Sequence, residues 1–400
     1  MTEEDPSVVF PSSSPIISRP VRRAVQSNLL PEAFTMSRYK CSPYMGCGHG
    51  CVYCDGRAEK YYVQGNFNSD IIGRTNLPDL LQKELPRIRE YGPVSLSSGI
   101  TDAYQPIEEK VRLTRGCAEV FRWHGLPVTV LTKSDLILRD LDCWSEVQAN
   151  AGFTLLMTIT TLDEQVAAAF EPGAPSVARR LKTLEAFSRA DCATGALVMP
   201  VLPGFSDGEQ QIRQLYGRLI DAGVSCIIPG WLTLRPGRQK DYYFRALESG
   251  KLDLTQSLYE KELQSGNPHW QYRQEKQRLF GQLQREFRIA SCIPHRVYQR
   301  TLHKADMLYM VLLQMEQWYD SQGVDISRLT ASRTSYEQWL LGQKKSLGSI
   351  RGSGEKHDMD GLITRARASG DLEQVISNAK LWVFLQGILD GTACFEPWVS

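Results

Sequence analysis

From Phe34 to Trp231 the chain alternates short β-branched or apolar runs with longer stretches whose apolar residues recur at helical spacing. The runs at 35–41, 94–97, 128–131, 153–160, 195–200 and 224–229 read as strands. Segments 77–91, 107–123, 136–148, 176–188 and 208–222 read as helices, and in the first of them Leu80, Leu81, Leu85 and Ile88 share one face. Strands separated by helices are not joined by tight hairpins, so the pattern predicts an α/β fold with a parallel sheet and right-handed crossovers. Reactive groups in such sheets gather at the carboxyl ends of the strands.

The loop after the first predicted strand reads Cys47-Gly48-His49-Gly50-Cys51-Val52-Tyr53-Cys54, a Cys-x3-Cys-x2-Cys spacing. Three thiolates this close can hold three corners of a cubane iron–sulfur cluster and leave the fourth iron without a protein ligand. A small molecule can bind and react at such an iron. Gly46, Gly48 and Gly50 suit a tight ligand loop, whose backbone angles β-carbons resist. The same residues admit a zinc-stabilised binding module, because Cys41 or His49 can supply the fourth ligand that a closed zinc site needs. Zinc sites usually pair two Cys/His half-sites, however, and no second one follows.

A chain of 400 residues can bury one large core, or one core with an appended domain. Its formal charge of +1 argues against a strongly basic nucleic-acid binder. Ten cysteines are ordinary for this length, and Cys117, Cys143, Cys192, Cys226, Cys292 and Cys394 show no ligand spacing. The N-terminus has no basic stretch followed by an apolar one, and no window approaches the roughly eighteen apolar residues of a membrane span. The expected compartment is a reducing cytoplasm without membrane attachment.

Beyond Trp231 the rhythm changes. Residues 236–243 read as a turn-rich connection, and 254–288 as largely helical. Lys251 to Lys304 holds ten Lys/Arg against five Asp/Glu, interleaved with Trp270, Tyr272, Phe280, Phe287 and Tyr298. Such a segment can grip phosphates and stack bases; it can equally be the wet face of helices whose aromatics turn inward. Helix is expected again at 305–319 and 361–389, with a Gly/Ser/Lys-rich linker over 342–358.

The cysteine spacing, with the aromatic Tyr53 before its last member, resembles the radical S-adenosylmethionine (radical SAM) superfamily. Wider blocks resemble its spore photoproduct lyase-related, DNA repair photolyase-like branch. These are Ser42-Pro43-Tyr44-Met45 before the motif, Thr101-Asp102-Ala103-Tyr104-Gln105-Pro106-Ile107-Glu108, Leu131-Thr132-Lys133-Ser134, Arg139-Asp140 and Glu171-Pro172-Gly173-Ala174-Pro175. The similarity spans 35–230.

The resemblance implies a partial (β/α)6 TIM-like barrel over 31–235. Before it lies a flexible segment, 1–30. After it come a basic, aromatic-containing helical segment over 236–304 that completes or caps the barrel, and a helical C-terminal extension over 305–400. It further implies a 4Fe–4S cluster on Cys47, Cys51 and Cys54, S-adenosylmethionine on the open iron, and a reductant such as flavodoxin or ferredoxin. The resulting 5′-deoxyadenosyl radical would abstract hydrogen from a substrate, with nucleic acid one class to consider.

Ser97 and Ser98 fall where the superfamily contacts the methionine amino group, and Lys133 where this branch pairs with the methionine carboxylate. Thr158 or Thr160 would reach the carboxylate or ribose, and Tyr53 the adenine. Asp102 and Tyr104, with Tyr44, are candidates for the substrate pocket; Asp102 can instead cap the helix near Ile107. The spore enzyme has a cysteine just after the second strand, where this chain reads Ser97-Ser98-Gly99-Ile100-Thr101. Spore-photoproduct repair is therefore the alternative rather than the leading expectation.

Overall fold

Six strands rich in β-branched and apolar residues form a sheet buried on both faces, as parallel sheets require. They are β1 (Tyr39–Cys41), β2 (Val94–Leu96), β3 (Val128–Thr132), β4 (Phe153–Thr158), β5 (Ala193–Val201) and β6 (Cys226–Trp231). A computed structural model describes residues 16–63, 65–96, 100–247, 251–259, 266–349 and 356–398. Each strand pairs in parallel with the next in sequence, with registers such as Tyr39↔Val94, Val128↔Phe153 and Leu155↔Thr194. Spatial order thus follows chain order, as it does when every crossover winds the same way.

Successive side chains along a strand point to opposite faces. On one face Phe153, Leu155, Met157, Ala196, Val198 and Ile227 form a core with the helices α1 (Leu77–Glu84), α2 (Leu113–His124), α3 (Leu141–Asn150), α4 (Val177–Arg189) and α5 (Glu209–Asp221). On the other face Leu156, Leu197 and Ile228 share a second core with Ile293, Tyr298, Leu308 and Leu312. The last hundred residues therefore pack directly beneath the sheet. No helix among the described residues is long and apolar enough to cross a membrane.

Several boundaries differ from the sequence expectations for local reasons. Residues 16–30, expected to be mobile, join the fold: Ile17–Ser18 pairs with Ile72–Gly73, and Gln26–Ser27 extends the sheet antiparallel to β1. Residues 1–15 lie outside the description. The first strand is shortened by Met36, whose φ is 55°. α1 gives way to a single 3-10 turn at Leu85–Arg87, where Pro86 has no N–H to continue the helix. Arg112, at φ 56°, divides Glu108–Val111 from α2. The turn-rich stretch near 236–243 contains a helix, Arg238–Ala246. The expected linker over 342–358 is overrun by a helix that continues to Ser349; 350–355 lie outside the described residues.

The basic, aromatic segment turns its rings inward. On α6 (Trp270–Glu286), Tyr272 and Phe280 are buried, as is Tyr298 beyond it, and Phe287 packs against the first core; Trp270 is 49% exposed. Stacking on nucleobases is thus unavailable to most of the residues that suggested it.

A buried charge cluster joins the sheet to the helices α7 (Lys304–Ser321) and α8 (Ser327–Ser349). Lys344 Nζ lies 2.7 Å from Glu90 and 2.8 Å from Asp306, Arg38 lies 2.6 Å from Glu90, and His303 lies 3.0 Å from Asp306. Glu90, His303 and Asp306 bring their ligand-type atoms within 4.8 Å of one another. Lys344 and Arg38 already neutralise that group.

Burial alone would lower the His303 pKa, but the neighbouring Asp306 and Glu90 carboxylates raise it above its ordinary 6.5. Burial pushes Glu90 and Asp306 up, yet His303 and Lys344 hold both below their ordinary 4.5 and 3.8. The His303 contribution to stability is complete below its unfolded pKa, near 6.5, and is lost as pH rises through the folded value. The carboxylate contribution is complete above about pH 4.5 and is lost as pH falls, so the cluster stabilises most between about pH 4.5 and 6.5. Lys344→Met should lower the urea-unfolding free energy in that window by about 3 kcal/mol, because two buried carboxylates lose a cation.

Candidate functional site

Beyond β1 the chain makes a short antiparallel pairing of Tyr44–Met45 with Ile72–Gly73 and then turns at Gly46. Gly46 has φ +78°, and a Cβ there would meet the Phe67 carbonyl at 3.0 Å. From Cys47 to Cys54 the backbone is neither strand nor helix. Two of its N–H groups donate within the loop, Gly50 to the Cys47 carbonyl and Cys54 to the Cys51 carbonyl, and other polar groups pair with segments that follow later strands, as buried backbone requires. Gly48 N–H donates to Gln105 Oε1 at 2.8 Å, and Gln105 Nε2 and Thr101 Oγ1 donate to the Gly46 carbonyl at 3.2 and 2.6 Å. Val52 N–H donates to the Phe170 carbonyl at 2.9 Å, and Gly173 N–H to the His49 carbonyl at 2.9 Å. Gln239 Nε2 donates to the Tyr53 carbonyl at 3.0 Å.

The three thiols line one pocket of about 150 Å3 with His49, Tyr53, Thr101, Asp102, Leu131, Thr132, Lys133, Thr158 and Leu197. Leu131 and Lys133 share a face of the third strand and its extension, and Thr132, which donates to Asp102, joins them at the strand end. Among the described residues the group Glu90, His303 and Asp306 alone brings three such ligand atoms within 4.8 Å, so the three sulfurs span a wider space. A single zinc ion with Zn–S near 2.3 Å would hold sulfurs about 3.8 Å apart. Among the described residues the pocket is lined by three cysteines and no fourth, a donor set that suits a cluster with one open iron.

Cys41 cannot complete a zinc set with the trio, because it is buried in the first core against Cys117. His49 is committed as well. Its Nδ1 donates to the Gly173 carbonyl at 2.9 Å, and its Nε2 faces Asp102 Oδ2 at 3.3 Å.

Burial raises all three thiol pKa values, Cys51 to about 12, so a bound metal is what would draw out the thiolates. For Lys133, burial would lower the pKa, but attraction to Cys51 and Glu171 raises it, and the ammonium stays charged beside the pocket.

Asp102 is a junction. It accepts hydrogen bonds from Thr132 Oγ1 at 2.6 Å, Lys133 N–H at 2.7 Å and Tyr104 N–H at 2.8 Å. Burial would raise its pKa, but His49 and these donors hold it at about 2. These contacts replace the helix-capping role considered from sequence.

The other candidates divide. Thr158 reaches the pocket, whereas Thr160 donates to Glu171 at 3.2 Å and does not line it. Tyr44 is sealed in a small core with Ile71 and Leu113, its hydroxyl donating to Glu108. Tyr104 lies in the first core, donating to Asp140 at 3.0 Å and accepting from Trp144 at 2.8 Å. Both tyrosines are therefore structural, and the substrate-pocket expectation for them is corrected. Ser97 and Ser98 lie outside the described residues. Gly46 and Gly50 take positive φ; Gly48 does not.

Sequence reasoning gave no role to Gln105, Glu171 or Arg180. Glu171 accepts from the Tyr53 hydroxyl, and Arg180 lies 2.5 Å from its second oxygen. Burial would raise the Glu171 pKa, but Arg180 and Lys133 lower it. The signals in the sequence are the blocks from Thr101 to Glu108 and from Glu171 to Pro175, which carry the family resemblance without assigning these roles.

Residues 41–216 match the family model described as Radical SAM superfamily. Over 213 residues, 52% of this chain, the sequence is 29% identical to an uncharacterized protein of Mycobacterium tuberculosis, and the match spans 63% of that protein. An uncharacterized protein of Methanocaldococcus jannaschii is 29% identical over 200 residues, 50% of this chain and 72% of the relative. Among solved structures, a variant of spore photoproduct lyase superposes with TM-score 0.52 at 18% identity, covering 72% of this chain and 84% of that one. At that identity the likeness is one of fold.

Asp102→Ala removes the acceptor of one hydroxyl and two backbone N–H groups in a buried site. The variant should unfold in urea with a free energy about 3 kcal/mol below that of the wild type.

Proposed function

We propose, from the premise that residues 41–216 are a radical SAM domain, that this chain is a radical SAM enzyme. The observation that carries the reading is the meeting of Cys47, Cys51 and Cys54 with a charged lysine in one pocket at the carboxyl ends of the strands. The three cysteines would hold a 4Fe–4S cluster, and the open iron would take S-adenosylmethionine. When bound and reduced by a protein such as flavodoxin or ferredoxin, the pair supplies a 5′-deoxyadenosyl radical that takes hydrogen from the substrate.

The chain's own residues hold and orient. Lys133 offers its ammonium to the methionine carboxylate, and Thr158 a hydroxyl beside it. Tyr53 offers backbone contacts to the adenine, with its ring as packing. The apolar side chains Leu131 and Leu197 close the floor and keep water from the reacting atoms. The sequential order of the six parallel strands supports the reading of a partial (β/α)6 barrel around this pocket.

Anaerobically reconstituted protein should contain iron and sulfide, and with dithionite should convert S-adenosylmethionine to 5′-deoxyadenosine. Cys51→Ala should lose both cluster and product; 5′-deoxyadenosine from the variant at the wild-type rate would sink the assignment. Lys133→Met should keep its iron yet weaken S-adenosylmethionine binding about tenfold or more in titration calorimetry, because a charge-assisted contact is removed.

A further inference from the structure

We propose that the turn Glu171-Pro172-Gly173 is a clamp that presets the cysteine loop for its cluster, with Glu171 acting as a positioning residue through Tyr53. The inference rests on the radical SAM reading only for the identity of the metal group; the clamp itself belongs to the chain without metal. Four hydrogen bonds carry it. The Tyr53 hydroxyl, one residue before Cys54, donates to Glu171. The His49 carbonyl accepts from Gly173 N–H and the Phe170 carbonyl from Val52 N–H, both at 2.9 Å, so the backbone is held on both sides of Cys51. The His49 ring donates to the Gly173 carbonyl at 2.9 Å.

The clamp is itself braced. Arg180 pairs with Glu171 at 2.5 Å, and donates to the carbonyls of Pro175 at 2.9 Å and Thr158 at 3.2 Å. Glu171 and Arg180 side chains are 0% and 1% exposed, so the carboxylate has one fixed place in which to receive the phenol. The fit is also steric: a Cβ on Gly173 would sit 2.5 Å from the Gly48 carbonyl oxygen and 2.9 Å from His49 Cα. Only glycine lets the two loops approach this closely. A ligand loop held in its bound shape loses less entropy when the metal arrives, which is the general effect of groups that orient metal ligands.

The test uses full-length protein, first without metal. Hydrogen–deuterium exchange over residues 47–54 should be slow in the wild type, and roughly tenfold faster in Tyr53→Phe, Glu171→Ala and Gly173→Ala, with β3 to β5 unchanged. After anaerobic loading, each variant should lose iron to a chelator about tenfold faster than the wild type and show a changed electron paramagnetic resonance signal when reduced. Tyr53→Phe and Glu171→Ala remove the two ends of one link, so the double variant should be no worse than either single one.

Wild-type exchange and iron loss in both single variants would overturn the clamp. If Glu171→Ala exchanges quickly throughout the sheet, Tyr53→Phe decides, because it leaves the Glu171–Arg180 pair in place. Wild-type protein that takes up neither iron nor sulfide defeats the radical SAM reading, while exchange in the metal-free variants still decides the clamp.

Discussion

A loop that presents three thiols to one point pairs little of its own backbone, and the architecture of this site follows from that constraint. Between Cys47 and Cys54 there is neither strand nor helix; Gly50 N–H donates to the Cys47 carbonyl and Cys54 N–H to the Cys51 carbonyl, while other buried groups find partners elsewhere. Outside partners include Gln105 after β2, Gly173 after β4 and Gln239 at the start of the helix after β6. A parallel sheet makes this economical, because every strand ends on the same side and every following loop can reach the first. Asp102 extends the same logic to β3 by accepting from Thr132 and from the Lys133 amide. The thiols and the lysine that faces them are thus fixed relative to each other by a shared carboxylate and imidazole.

The face of the sheet beneath the pocket is as constrained as the pocket. Leu156, Leu197 and Ile228 are covered by Ile293 and Tyr298 and by Leu308 and Leu312 of the C-terminal helices. Apolar packing carries most of this joint. The charge cluster of Arg38, Glu90, His303, Asp306 and Lys344 adds register, because buried ion pairs tolerate little displacement. Leu197 belongs to both regions, lining the cysteine pocket and sharing the second core. Packing of the C-terminal helices is therefore coupled to the floor of the site.

Much of the site could be read in one dimension because its signals are local. The spacing of Cys47, Cys51 and Cys54 is a property of eight consecutive residues, and Lys133 falls at a strand end that hydrophobic patterning locates. Tyr44 and Tyr104 show the limit. Both neighbour site residues in sequence, yet strand and turn geometry points them into apolar cores, toward Glu108 and Asp140. Helix ends were misplaced where one residue, Arg112 or Pro86, broke a periodic pattern. The aromatics from Tyr272 to Tyr298 were ambiguous because an inward ring and a stacking ring look alike until the partner surface is known.

By itself the sequence determined the parallel α/β class, the strand order along the chain and the three thiols, because periodicity and close spacing survive without tertiary context. The tertiary structure decided which carboxylates matter. Glu171 acquires its role from Tyr53, far away in sequence, and from Arg180 on α4, and Asp102 from Thr132 on β3. It also decided that the C-terminal helices lie against the sheet rather than apart from it, since burial of Leu156 and Leu197 depends on contacts no local pattern encodes.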